Sequence, residues 1–128
     1  MKRMLIAVLV ALTSSLHAGE SKDGALILTG NFVRKGQTEE HDLKATLTPE
    51  DSGKWKVVYD FVWGKKPTQY LGTVTGDIKN GSFEGVAANQ GEKRTWKIKG
   101  VAKNGVLTFD HWETTGGKES PTGKAMLQ

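Results

Sequence analysis

The chain has 128 residues, 18 basic against 14 acidic side chains, and no cysteine. The missing thiols exclude disulfides, a cysteine nucleophile, zinc–thiolate sites and a lipid-modified cysteine. The length suffices for one domain with one core, and the small basic excess makes no case for a nucleic-acid partner.

Met1 to Ala18 reads as a secretory signal peptide. Lys2 and Arg3 start it, Met4 to Leu12 is apolar throughout, and Leu16-His17-Ala18 offers a cleavage site before Gly19. The apolar run falls well short of the roughly 20 residues that span a bilayer. The expectation is an exported protein, periplasmic or extracellular, with no membrane anchor in the mature chain. Loss of Lys2 and Arg3 leaves 16 basic against 14 acidic residues. Residues 19–25 read as a flexible polar leader and 26–128 as a single domain.

Beyond the leader, apolar residues alternate with period two, and no helical period is sustained. Strands are expected near 26–33, 40–48, 54–63, 70–79, 82–89, 94–102, 106–114 and 122–128. Turn signals separate them about every dozen residues. The fold class is all-β, an antiparallel up-and-down meander of about eight strands. Gly30, Gly72, Gly76, Gly85 and Gly100 fall inside strand patterns, where glycine marks sharp bends. Those bends favour a closed or nearly closed barrel; the alternative is a β-sandwich.

Two Asn-Gly pairs, Asn80-Gly81 and Asn104-Gly105, stand in matching frames. Asn-Gly suits a two-residue type I′ turn, which needs positive φ at both residues. A turn at 104–105 pairs Ala102 with Leu107, Gly100 with Phe109, Ile98 with His111 and Trp96 with Glu113. The opposite face pairs Lys99 with Asp110, a surface ion pair, and Lys97 with Trp112. A turn at 80–81 pairs Ile78 with Phe83, Gly76 with Gly85 and Val74 with Ala87, with Asp77 facing Glu84. Strand 54–63 turns Trp55, Val57, Tyr59, Phe61 and Trp63 to one side. Strand 40–48 does the same with His41, Leu43, Ala45 and Leu47. The cluster Lys93, Arg94, Lys97 and Lys99 reads as a solvated face.

Up-and-down order places the connections 49–53, 80–81 and 104–105 at one end. Those at 34–39, 64–69, 90–92 and 115–121 lie at the other and read as mostly longer. Leu47, Ile78, Phe83, Ala102 and Leu107 make an apolar floor at the first end. His41, Trp63, Tyr70, Trp96, His111 and Glu113 face inward at the second, an aromatic and polar mouth. Two readings stay open. In one, the aromatics pack the barrel solid, since eight strands leave room for little more than side chains. In the other, the mouth holds a ligand, since aromatic walls with a few polar groups make a small-molecule site.

Leu28-Thr29-Gly30-Asn31-Phe32, followed by Gly36 and Thr38, resembles the opening strand and loop of avidin-type barrels. Its Gly-x-aromatic element is similar to the start of lipocalins. The resemblance implies a small closed barrel with an internal pocket, and Tyr59 stands where a pocket tyrosine would fall. Phe32 replaces the usual tryptophan, Arg34-Lys35 replaces small polar ligand-binding residues, and Phe61 replaces a polar residue. No binding residues are carried over.

His41, His111 and Glu113 share the mouth without a metal-ligand spacing, so no metal and no cofactor is expected. Ser82 and Ser120 lie in no nucleophile motif, and there is no glycine-rich phosphate loop. The leading expectation is a non-catalytic, exported binding protein with a small, partly apolar ligand at the mouth. Its site residues are Trp63, Tyr70, Trp96, His111, Glu113 and His41, with His111 titrating near neutrality. One alternative is an interaction module using the outer surface around Trp112. Another is an enzyme built on His41, His111 and Glu113.

Overall fold

The computed structural model describes residues 19–20, 24–89, 91, 94–115 and 117–128. The signal-peptide segment and positions 21–23 of the leader lie outside the described residues. Eight long strands make the body: β1 (Leu26–Arg34), β2 (Glu40–Pro49), β3 (Lys54–Trp63), β4 (Lys66–Gly76), β5 (Gly81–Asn89), β6 (Arg94–Lys103), β7 (Val106–Thr115) and β8 (Lys118–Leu127). Each pairs antiparallel with its neighbour, and β8 returns to β1, so the sheet closes into a barrel. The seam runs from Gly123 opposite Arg34 to Leu127 opposite Gly30. Gln128 and Thr29 extend it by exchanging backbone hydrogen bonds of 2.9 and 3.0 Å. A two-residue strand, Gly19–Glu20, pairs with Ile27 and Leu26. Among the described residues, closure leaves no long unpaired edge.

Alternation delivers the core. Leu43, Ala45 and Leu47 on β2, Val57 and Tyr59 on β3, Ile98 and Ala102 on β6, and Leu107 and Phe109 on β7 are all buried. The β6–β7 register matches the expectation, with Gly100 opposite Phe109, Ile98 opposite His111 and Trp96 opposite Glu113. Asn104 and Gly105 have φ of 52° and 81°, the double positive of a type I′ turn. At Gly100 the sheets bend so closely that a Cβ would meet the Thr108 carbonyl oxygen and the Phe109 side chain. Only glycine permits that approach.

The other Asn-Gly pair behaves differently. Gly76 faces Phe83, Val74 faces Gly85 and Gly72 faces Ala87, two residues off the expected register. The Asp77 carboxylate accepts the backbone N–H groups of Lys79 and Asn80 at 2.9 and 3.0 Å. Asp77 N–H donates to the Ser82 carbonyl at 3.0 Å. This side-chain-capped loop replaces the two-residue turn. An even shift preserves which face is buried, so Val74, Ile78 and Phe83 still point inward. Glu84 faces Thr75 and Lys99, and the expected Asp77–Glu84 pair does not form.

Three further expectations are corrected. Trp63 pairs with Lys66 across Gly64 and Lys65, whose φ values are 58° and 67°. The segment 64–69 is therefore another type I′ turn running straight into β4, which starts at Lys66 and ends at Gly76. Thr115 pairs with Lys118, so 115–121 is a tight connection followed by strand. The mouth end therefore carries two tight turns beside the longer connection at 35–39. Asp110 lies opposite Lys99, but its ion-pair contact is Lys124 at 3.9 Å.

Candidate functional site

Inward residues from six strands meet at the end expected to form the mouth, around a cavity of about 220 Å³. Phe32 and Arg34 come from β1, Phe61 and Trp63 from β3, and Lys66, Thr68 and Tyr70 from β4. Arg94 and Trp96 come from β6, His111 and Glu113 from β7, and Thr122 from β8. Strand parity explains most of this set. Phe32/Arg34, Phe61/Trp63, Tyr70/Thr68, Trp96/Arg94 and His111/Glu113 are each pairs at i, i+2, stacked up one wall.

Below the cavity the barrel is filled by rings. Trp96 is in edge contact with Tyr59 at 4.8 Å between centroids and with Phe109 at 6.2 Å. Tyr70 stacks on Phe61 at 5.7 Å, and Phe61 meets Phe32 edge-on at 5.3 Å. Deeper still, Phe83 and Phe109 are in edge contact at 6.0 Å. Such edge and offset contacts fix ring orientation as well as burying area. Burial also raises the Tyr59 hydroxyl well above its ordinary pKa, so it stays protonated.

The polar groups of the mouth are tied down one by one. The Tyr70 hydroxyl donates to Glu113 Oε2 at 3.4 Å, and the Arg94 guanidinium lies 4.0 Å from the same oxygen. Arg34 sits over the Trp63 ring, its guanidinium carbon 5.0 Å from the centroid. His111 is only 3 % exposed. Its Nδ1 lies 2.6 Å from Thr122 Oγ1, and that hydroxyl donates to the His111 carbonyl at 3.1 Å. Which of the two donates in that short contact is set by the imidazole tautomer. Nε2 is buried, with no hydrogen-bond partner among the described residues.

Burial pushes the His111 pKa down to about 4, and the Arg34 charge adds to the depression. The Lys124 carbonyl and the Asp110 charge act in the opposite direction. This corrects the expectation that His111 titrates near neutrality: burial outweighs the nearby carboxylate. With its pKa held this low, the imidazole is neutral at pH 7.

The cavity brings together Trp63, Tyr70, Trp96, His111 and Glu113. His41 is not among its lining residues. Its ring stacks on Phe32 at 5.0 Å and lies 5.1 Å from Trp63, with Nε2 buried and 4.0 Å from Glu39. Among the described residues no group of three His, Asp or Glu side chains is placed to hold a metal ion. Trp112 is half-buried on the outer face between Lys97 and Pro121.

Sequence reading missed the cations and Thr122. Arg34 continues the inward alternation of Leu28, Gly30 and Phe32, a signal that was present. Arg94 shares the parity of Trp96, but its charge grouped it with the solvated lysines. Lys66 was hidden by reading 64–69 as a loop. Thr122 lies at the irregularity between Pro121 and Gly123, where a bulge breaks the alternation and turns its hydroxyl toward His111.

No family model matches the chain, and neither a curated protein nor a solved structure matches it. The architecture is that of an eight-stranded closed antiparallel barrel.

Proposed function

We propose that the protein is an exported, non-catalytic binding protein that holds a small, partly apolar ligand in the mouth cavity. The observation that carries this reading is the cavity of about 220 Å³ left open above a packed aromatic floor. A cavity of about 150 Å³ accommodates a benzene ring, so this one has room for one or two rings. Trp63, Tyr70 and Trp96 supply aromatic walls, and a few fixed polar groups stand between them, the usual make-up of such a site. The likeness of Leu28-Thr29-Gly30-Asn31-Phe32 to the opening strand of avidin- and lipocalin-type barrels points the same way. Export follows from the charged start, apolar run and Ala18–Gly19 junction of the sequence.

The test is tryptophan fluorescence of the purified protein titrated with a panel of one- and two-ring compounds. A saturable change that Trp63→Ala alters supports the reading. A flat response across the panel, with no shift of the Trp63, Trp96 or His111 NMR signals, overturns it. The intact mass of protein from the extracytoplasmic fraction tests export: it should begin at Gly19. A product retaining Met1 to Ala18 overturns that part.

A further inference from the structure

Among the described residues that line the cavity, the cations Arg34, Lys66 and Arg94 accompany one carboxylate, Glu113, and burial keeps His111 neutral. Glu113 already has Tyr70 and Arg94 beside it. Arg34 is different: among the described residues no carboxylate lies within ion-pair distance of it. Its contact is the face of Trp63. A guanidinium held over a ring keeps its fork of N–H donors, which point outward in its own plane. That fork matches the two oxygens of a carboxylate. The apolar surfaces of Phe32, Phe61 and Trp96 lie in the same cavity.

We propose that the mouth cavity selects a small organic anion, a carboxylate carried on a one- or two-ring apolar body, with Arg34 as its anion-binding residue. The inference rests on the ligand-binding reading above. Lys66 adds a second positive charge, and Arg94 offsets the repulsion from Glu113. The apolar body sits over the Trp96 floor, and the carboxylate lies at the Arg34 side of the rim.

Calorimetric titration with 2-naphthoate and with its uncharged isostere 2-naphthamide decides the matter. A hydrogen-bonded charge contact corresponds to about a tenfold or larger preference for the naphthoate. Arg34→Gln should remove most of that preference and leave naphthamide binding within about twofold. Added salt should weaken naphthoate binding to the wild type and spare naphthamide, a readout that needs no variant. Equal binding of the two probes overturns the anion proposal and leaves the apolar site standing. Binding of neither removes the cavity reading and this proposal with it. Unchanged naphthoate preference in Arg34→Gln overturns the role of Arg34.

Discussion

The Asn80 side-chain carbonyl accepts the Asn104 backbone N–H at 3.0 Å. Beside it, Gly105 N–H donates to the Lys79 carbonyl at 3.1 Å. The two Asn-Gly frames are thus neighbours in space, locked together at the floor end of the barrel. They are not two copies of one turn. The type I′ turn at 104–105 leaves backbone donors that the 77–80 loop satisfies, and the Asp77 cap shapes that loop.

Asp77→Ala should therefore destabilise the barrel at neutral pH, not relieve repulsion as an Asp77–Glu84 pair would require. The Asn80 and Lys79 N–H groups hold the Asp77 carboxyl below its ordinary 3.8. A depressed carboxylate contributes stability above that ordinary value and loses it as pH falls through the folded pKa. The gap between wild type and variant in urea denaturation should be open at about pH 7 and shrink toward about pH 2. A constant gap would mean that the charge contributes nothing to the cap.

Gly100→Val should cost about 1–3 kcal/mol, because the new side chain collides with backbone at Thr108 and with Phe109 in a packed interior. A shift in the urea midpoint with unchanged slope is the expected reading. No shift would contradict the close approach of β6 and β7.

Much of this barrel was legible because period two is robust. Trp55, Val57 and Tyr59, or Leu43, Ala45 and Leu47, declare their face without any knowledge of partners. The Asn104-Gly105 turn then fixed a whole hairpin, down to Trp96 opposite Glu113. What alternation cannot report is where a side chain hydrogen-bonds across a loop. Asp77 displaced the 80–81 turn that way, and the slip went unseen because an even shift keeps every face. Lys65 in a left-handed conformation gave no turn signature, so the β3–β4 hairpin read as a loop and Lys66 was lost with it. The Thr122 bulge escaped for the same reason: a residue added out of phase has no pattern to betray it.

His111 should make the protein lose stability in mild acid. Its folded pKa, about 4, lies below the ordinary 6.5, so the unfolded chain binds the proton first as pH falls. Stability is full above about 6.5, declines between about 6.5 and 4, and levels off in this respect below that. The drop is about 3 kcal/mol at most for a shift of this size. The groups that set it are Arg34 across the β1 seam, Asp110 next in β7 and the Lys124 carbonyl in β8. His111→Gln should flatten the decline, whatever its overall stability. An imidazole NMR titration with a midpoint near neutrality would contradict the burial argument.

Trp96 and Trp63 both line the cavity, yet their removal should have unlike effects. Trp96 is 7 % exposed and touches Tyr59, Tyr70, Phe109 and His111. Its loss empties the middle of the core, and Trp96→Ala should cost about 3–5 kcal/mol. Trp63 is half-buried at the rim, where its ring meets Phe32, His41 and the Arg34 guanidinium. A partly solvated ring and one cation–π contact are worth less, and Trp63→Ala should cost about 1–2 kcal/mol. Chemical denaturation of the two variants side by side checks the order. Trp63 is for this reason the tryptophan whose change reports on the cavity without unsettling the fold. A larger loss at Trp63 than at Trp96 would invert floor and rim, and the cavity would then lie on the wrong side of the aromatic layer.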